Sequence, residues 1–179
     1  MLFRKATMDD LQAVAEIYAQ VHTAEETGRM TVGWARDVYP TCSTAEDALL
    51  RDDLFVAEDN GKIVGTAIIN QIQPDCYNEG KWEYKVPKEQ VMVLHTLCVN
   101  PALSGRGYGR QFVAFYEEYA LSNKCHYLRM DTQIINLNAR SLYRLMEYKE
   151  IGTVPCVFNG IENVQLILLE KKLQKTAPD

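Results

Sequence analysis

The run VMVLHTLCV, residues 91–99, constrains this chain more than any other stretch, because it leads into a glycine-rich loop and then a helix. The loop is SGRGYGR, at 104–110, and after it QFVAFYEEYA has apolar residues at helical spacing. The first run is nearly all apolar, as in a strand buried on both faces. Between strand and helix, Gly105, Gly107 and Gly109 alternate with Arg106 and Tyr108. Glycine loses more conformational freedom on folding than any other residue, so three of them mark a backbone that must do what a side chain would block. A second strand, within HYLRMDT at 126–132, succeeds the helix. Crossovers of this kind are right-handed almost without exception, which makes 91–99 and 126–132 parallel neighbours. The glycine loop then lies at the carboxyl end of its strand and the amino end of its helix. Free N–H groups and the helix dipole converge there on an anion. The spacing is neither the dinucleotide G-x-G-x-x-G nor a Walker loop ending in Gly-Lys-Ser/Thr. A turn with a helix cap is the plainer alternative.

The remaining segments fit around this unit. LFRKA is a short strand. TMDDLQAVAEIYAQVH is a helix capped by Thr7, with Leu11, Val14, Ala15, Tyr18 and Val21 on one face. STAEDALLRDD is a shorter helix. LFVAE and KIVGTAIINQI form a hairpin turned by Asn60-Gly61. Residues 138–147 are helical, and KEIGTV and VQLILLEKK close the chain as strands. The expected fold is α/β, of α+β type, as one domain over 1–179. The net charge of −5 argues against a nucleic-acid partner, which needs a basic surface. No apolar run nears the ~20 residues of a membrane span. Five cysteines, at 42, 76, 98, 125 and 156, form no CxxC pair, so no metal site is expected and the thiols read as reduced, in a cytoplasmic protein.

VLHTLCVNPALSGRGYGRQFVAFYEEYA resembles the acetyl-CoA-binding motif of the GNAT superfamily of N-acetyltransferases. The family pattern is Q/R-x-x-G-x-G/A, and Gly107 and Gly109 match its demanding positions, with Ser104 where Gln or Arg is usual. A second resemblance lies farther along: Asn136, Ala139, Leu142 and Tyr143 match the family's N-x-x-A-x-x-L-Y. Glu147-Tyr148 stands where Gly-Phe is usual. The resemblance implies a central mixed sheet of about seven strands flanked by about four helices, with the cofactor cleft between the parallel strands 91–99 and 126–132. It implies acetyl-CoA as co-substrate, held by Leu97, Cys98, Val99, Ser104, Gly105, Arg106, Gly107, Tyr108, Gly109, Arg110, Asn136, Ala139 and Tyr143. A homodimer is compatible with it.

The resemblance further implies direct acetyl transfer to a primary amine of a small molecule or peptide. A lysine-like amine of pKa ~10.4 is mostly protonated at neutral pH, so its proton must be removed. Tyr143 is the implied acid for the leaving sulfur; a core tyrosine is the other reading. His95 is the candidate base, because strand alternation puts Val93, His95, Leu97 and Val99 on one side; a buried histidine bonded to backbone is its alternative. Trp34, Tyr39 and Trp82, in irregular segments, are candidate walls of the acceptor pocket. A non-catalytic acyl-CoA-binding or regulatory module is the alternative function.

Overall fold

In the computed structural model, which describes residues 1–174, seven strands form one mixed sheet in the order β1-β2-β3-β4-β5-β7-β6. The last five residues of the expected domain lie outside the described residues. The strands are β1 (Leu2–Lys5), β2 (Leu54–Asp59), β3 (Lys62–Asn70), β4 (Val91–Val99), β5 (Tyr127–Gln133), β6 (Lys149–Phe158) and β7 (Ile161–Lys172). The helices are α1 (Leu11–Glu26), α2 (Cys42–Leu50), α3 (Tyr108–Ser122) and α4 (Leu137–Leu145). β2 and β3 form the expected hairpin, with Asn60 and Gly61 both at positive φ, as a tight two-residue turn needs. The Arg4 guanidinium pairs with Asp10 at 2.7 Å and ties β1 to the entry of α1.

Two layers cover the sheet. On one face, α3 buries Phe112, Val113, Tyr116 and Ala120 against Met92, Leu94, Leu128 and Met130. Burying the larger of these side chains contributes about 1.5–3 kcal/mol each. On the other face, α1 packs Val14, Ile17, Tyr18 and Val21 over Val56, Ile68 and Cys98. Farther along that face, Tyr77, Val91, Val93 and Leu168 join a third apolar cluster.

The parallel contact expected between the strands at 91–99 and 126–132 exists, but it is short. β4 and β5 pair only from Val91 with Tyr127 to Leu94 with Met130, and then separate. The Tyr116 hydroxyl sits under this seam, 2.6 Å from the Met92 carbonyl and 3.2 Å from that of Arg129. Just past it, β4 bulges. Between His95 and Cys98 it advances three residues while β3 advances two, from Ile68 to Thr66, and Thr96 takes φ +50°. The bulge corrects the expected alternation. Leu97 joins the cluster of Met92 and Leu94, whereas Cys98 turns to α1 and Ile68. An extra residue in a strand reverses the side-chain parity beyond it.

Candidate active site

Where β4 and β5 part, a cavity of about 70 Å³ opens through the sheet. It has room for a few reacting atoms, since one water occupies about 30 Å³ of liquid. Leu97, Asn136, Ala139 and Tyr143 line it on the α3–α4 side, and Trp34, Tyr39, His95 and Phe158 on the other. It adjoins a groove of about 870 Å³, with which it shares Tyr39, His95 and Phe158.

The glycine loop lies at the start of α3. Gly107 caps that helix at φ +81°, and Gly105 has φ +79°. A Cβ added at Gly105 would meet nothing within 4 Å, and one at Gly107 only the end of Gln111 at 3.8 Å. The loop therefore opens onto free space. Among the described residues, the amides of 105–110 make no backbone hydrogen bond outside the regular elements. Free donors at a helix start, with open space above them, suit a phosphate. Ser104, Arg106 and Arg110 are exposed beside it. The Tyr108 ring reaches away, its hydroxyl donating to Asp59 at 2.7 Å. Gly109 admits Leu142 of α4 at 3.3 Å from where its Cβ would be, so its lack of a side chain serves helix packing. Val99 packs between Gly65 and Gly109.

Asn136 caps α4 by accepting the Ala139 amide at 3.1 Å, and so sets the turn that carries Tyr143. Tyr143 is buried, and burial followed by the charge of Asp131 raises its pKa, which keeps the phenol protonated. His95 is also deep. Its Nε2 lies 3.1 Å from Asn70 Oδ1, an oxygen that also accepts the Ile72 amide. Burial lowers its pKa to about 4. Trp34 and Tyr39 reach the cavity, their rings 5.8 Å apart and edge to face. Trp82 does not; it packs on Tyr77 with its ring under Arg129, 4.0 Å from the guanidinium carbon. Cys98 lies behind the cavity wall, buried against α1. His22 packs in the fold, with Nε2 2.9 Å from the Pro40 carbonyl.

Three cavity residues are not visible as such in the sequence. Thr96 is held at its unusual φ while its hydroxyl meets that of Tyr39. Gln133 bonds the Gly33 carbonyl, at a glycine where any Cβ would collide with the Gln133 side chain. Asp131 receives the Tyr77 hydroxyl at 2.8 Å. Its visible signal is a single acid in the strand YLRMDTQ.

The fold thus places an open glycine loop at the start of α3 on one side of a parted sheet, and an aromatic-walled cleft on the other. The acetyltransferase (GNAT) family profile matches residues 12–148. The uncharacterized N-acetyltransferase MJ1207 of Methanocaldococcus jannaschii is 26% identical over 148 residues, which are 82% of this chain and 60% of that protein. A GNAT-family acetyltransferase structure from Streptococcus agalactiae superposes with TM-score 0.81 at 21% identity, covering 97% of this chain and 96% of that one. The yncA protein of Salmonella typhimurium, solved with its cofactor acetyl-CoA, has TM-score 0.67 at 18% identity, covering 100% and 98%. The chain belongs to the GNAT family of acetyltransferases, and its class of enzyme is the acyltransferases.

Proposed function

We propose that this chain moves an acetyl group from acetyl-CoA to a primary amine of a small molecule or peptide, by direct attack inside the parted β4–β5 seam. The observation that carries the reading is Tyr143, a buried tyrosine that lines the cavity at the parting of β4 and β5 together with Leu97, Asn136 and Ala139. The loop fits the cofactor: its free amides and open space suit the pyrophosphate, with Leu97, Asn136 and Ala139 along the way to the cavity. Acetyl-CoA bound there supplies an acetyl thioester, whose carbonyl carbon is open to an amine.

The chain's own groups then have separate tasks. Past Leu94, β4 no longer pairs with β5, so backbone N–H groups on that side of the strand are available to stabilise charge developing on an acyl oxygen. The Tyr143 hydroxyl donates to the leaving sulfur. A thiol has a pKa near ~8.5, below that of the phenol, so the hydroxyl first stabilises the thiolate as a hydrogen-bond donor. That role lies in the transition state and leaves ground-state binding little changed.

Tyr143→Phe tests the reading, with CoA release measured over a panel of amines. Turnover should fall by about 10²-fold, the low end for acid assistance. Acetyl-CoA should still bind within about threefold of the parent, a difference under ~0.7 kcal/mol. Parental turnover in the variant overturns the acid assignment. A parent that binds acetyl-CoA and acetylates no amine overturns the transfer itself and leaves a binding module.

A further inference from the structure

Asp131 is the first residue of β5 past its pairing with β4, and His95 holds the same place on β4. The two flank the opening of the seam. Asp131 lies deep in the fold, yet the cavity reaches its side chain. None of the ion pairs among the described residues includes it. The groups that face it are Tyr77 and Cys76 from the 75–79 turn, Cys156 from β6, Tyr143 from α4 and Tyr39. His95 shares the cavity and is neutral. Leu168 of β7 pairs beside it. No cation is among them. A carboxylate so placed lacks a counter-charge, which is costly unless one arrives from outside. The adjoining groove carries Asp47, Asp75 and Glu79, and its one arginine, Arg51, is already paired with Asp53. An acidic approach to a lone carboxylate favours a cation.

We propose that Asp131 is the acceptor-recognition residue and proton acceptor of this site, taking the ammonium group of a cationic primary amine that enters through the acidic groove. This rests on the transfer reading above. The ammonium gives one proton to the carboxylate. The freed nitrogen lone pair forms the N–C bond with the acetyl carbon, and the C–S bond breaks with its electrons on sulfur. The second nitrogen proton reaches sulfur through the Tyr143 hydroxyl, which gives one proton and takes one back. Asp131 returns its proton to water. Burial raises the Asp131 carboxyl to about 6, which makes it a better proton acceptor than an ordinary carboxylate. Tyr77 opposes the rise by bonding the ionised form.

The experiment is steady-state acetylation of n-butylamine, putrescine and phenethylamine between pH 5 and 9, with acetyl-CoA affinity measured alongside. The parent should lose kcat/KM for the amine below pH about 6, as the Asp131 carboxyl takes its proton. Asp131→Asn keeps the shape and an acceptor for Tyr77. It should lower kcat/KM by about 10²-fold, abolish that acidic limb and bind acetyl-CoA as before. Tyr77→Phe removes a bond to the charged form, so the limb should move to higher pH. If Asp131→Asn does not fold, the Tyr77→Phe limb decides alone. An Asp131→Asn enzyme with the parental rate and limb, or a Tyr77→Phe limb that stays in place, overturns the inference and leaves the transfer reading standing. A parent inactive on every amine overturns both.

Discussion

His95 shows how a residue can be well placed and still poorly suited to an expected task. Its Nε2 donates to an Asn70 oxygen that already serves the Ile72 amide, while the Asn70 amide holds Asp53 at 2.8 Å. With a pKa near 4, the ring has no charge to gain or lose around neutrality and accepts a proton weakly. His95→Gln should therefore slow turnover by less than about tenfold and leave the limb near pH 6 unmoved, in contrast to a general base, whose loss removes its limb. A pH–rate profile of the variant decides, and a lost limb would return the base to His95. Tyr143, Asn136 and Ala139 were legible because a helix fixes their spacing, and spacing is what sequence records. Asp131 was not, because its meaning lies in counter-charges missing from six other segments. Trp82 reads like any loop aromatic until Arg129 is seen stacked on it.

The end of α4 departs from the family pattern, and the structure shows how the chain accommodates this. The helix stops at Leu145, and Glu147 turns the chain at φ +66°, a conformation that glycine adopts freely and other residues reluctantly. Tyr148 fills the aromatic position: it is buried, edge to face with Tyr143 at 6.1 Å, and the Lys171 ammonium lies 5.3 Å from its ring. Glu147→Gly should relieve the turn and raise stability by about 0.5–1 kcal/mol, read from the midpoint of urea unfolding at unchanged slope. A lower midpoint would mean that the turn carries no strain. Strands, helices and the glycine loop were legible from period and punctuation. The β4 bulge was not, since VMVLHTLCV is apolar throughout and marks no change of face. Glu117 of α3 pairs with Lys171 of β7 at 2.9 Å, a contact between distant segments that helical spacing does not record.

Across the whole molecule, strand order was the least legible feature. β7 lies between β5 and β6, so the last strand in sequence is interior and its predecessor is the edge. A hairpin pattern is the same whichever of its strands docks. Among the described residues no helix is long and apolar enough to cross a membrane. The seam has a mechanical side. The N-terminal and C-terminal strands form two plates whose backbones meet along only four residue pairs, with α3 packed beneath and the Tyr116 hydroxyl as a fastening. Compliance in such an object concentrates at the short joint, because stiffness grows with the number of bonds that must strain together. A guest wedged beyond the joint restrains both plates at once. Saturating acetyl-CoA should therefore slow amide exchange at residues 94–98 and 130–133 by about tenfold or more, equivalent to ~1.4 kcal/mol, and leave the edge strand β1 at 2–5 unchanged. Uniform slowing over both regions would mean that the sheet yields as one plate. The gap that admits the reactants is thus also the place where their arrival is felt as rigidity.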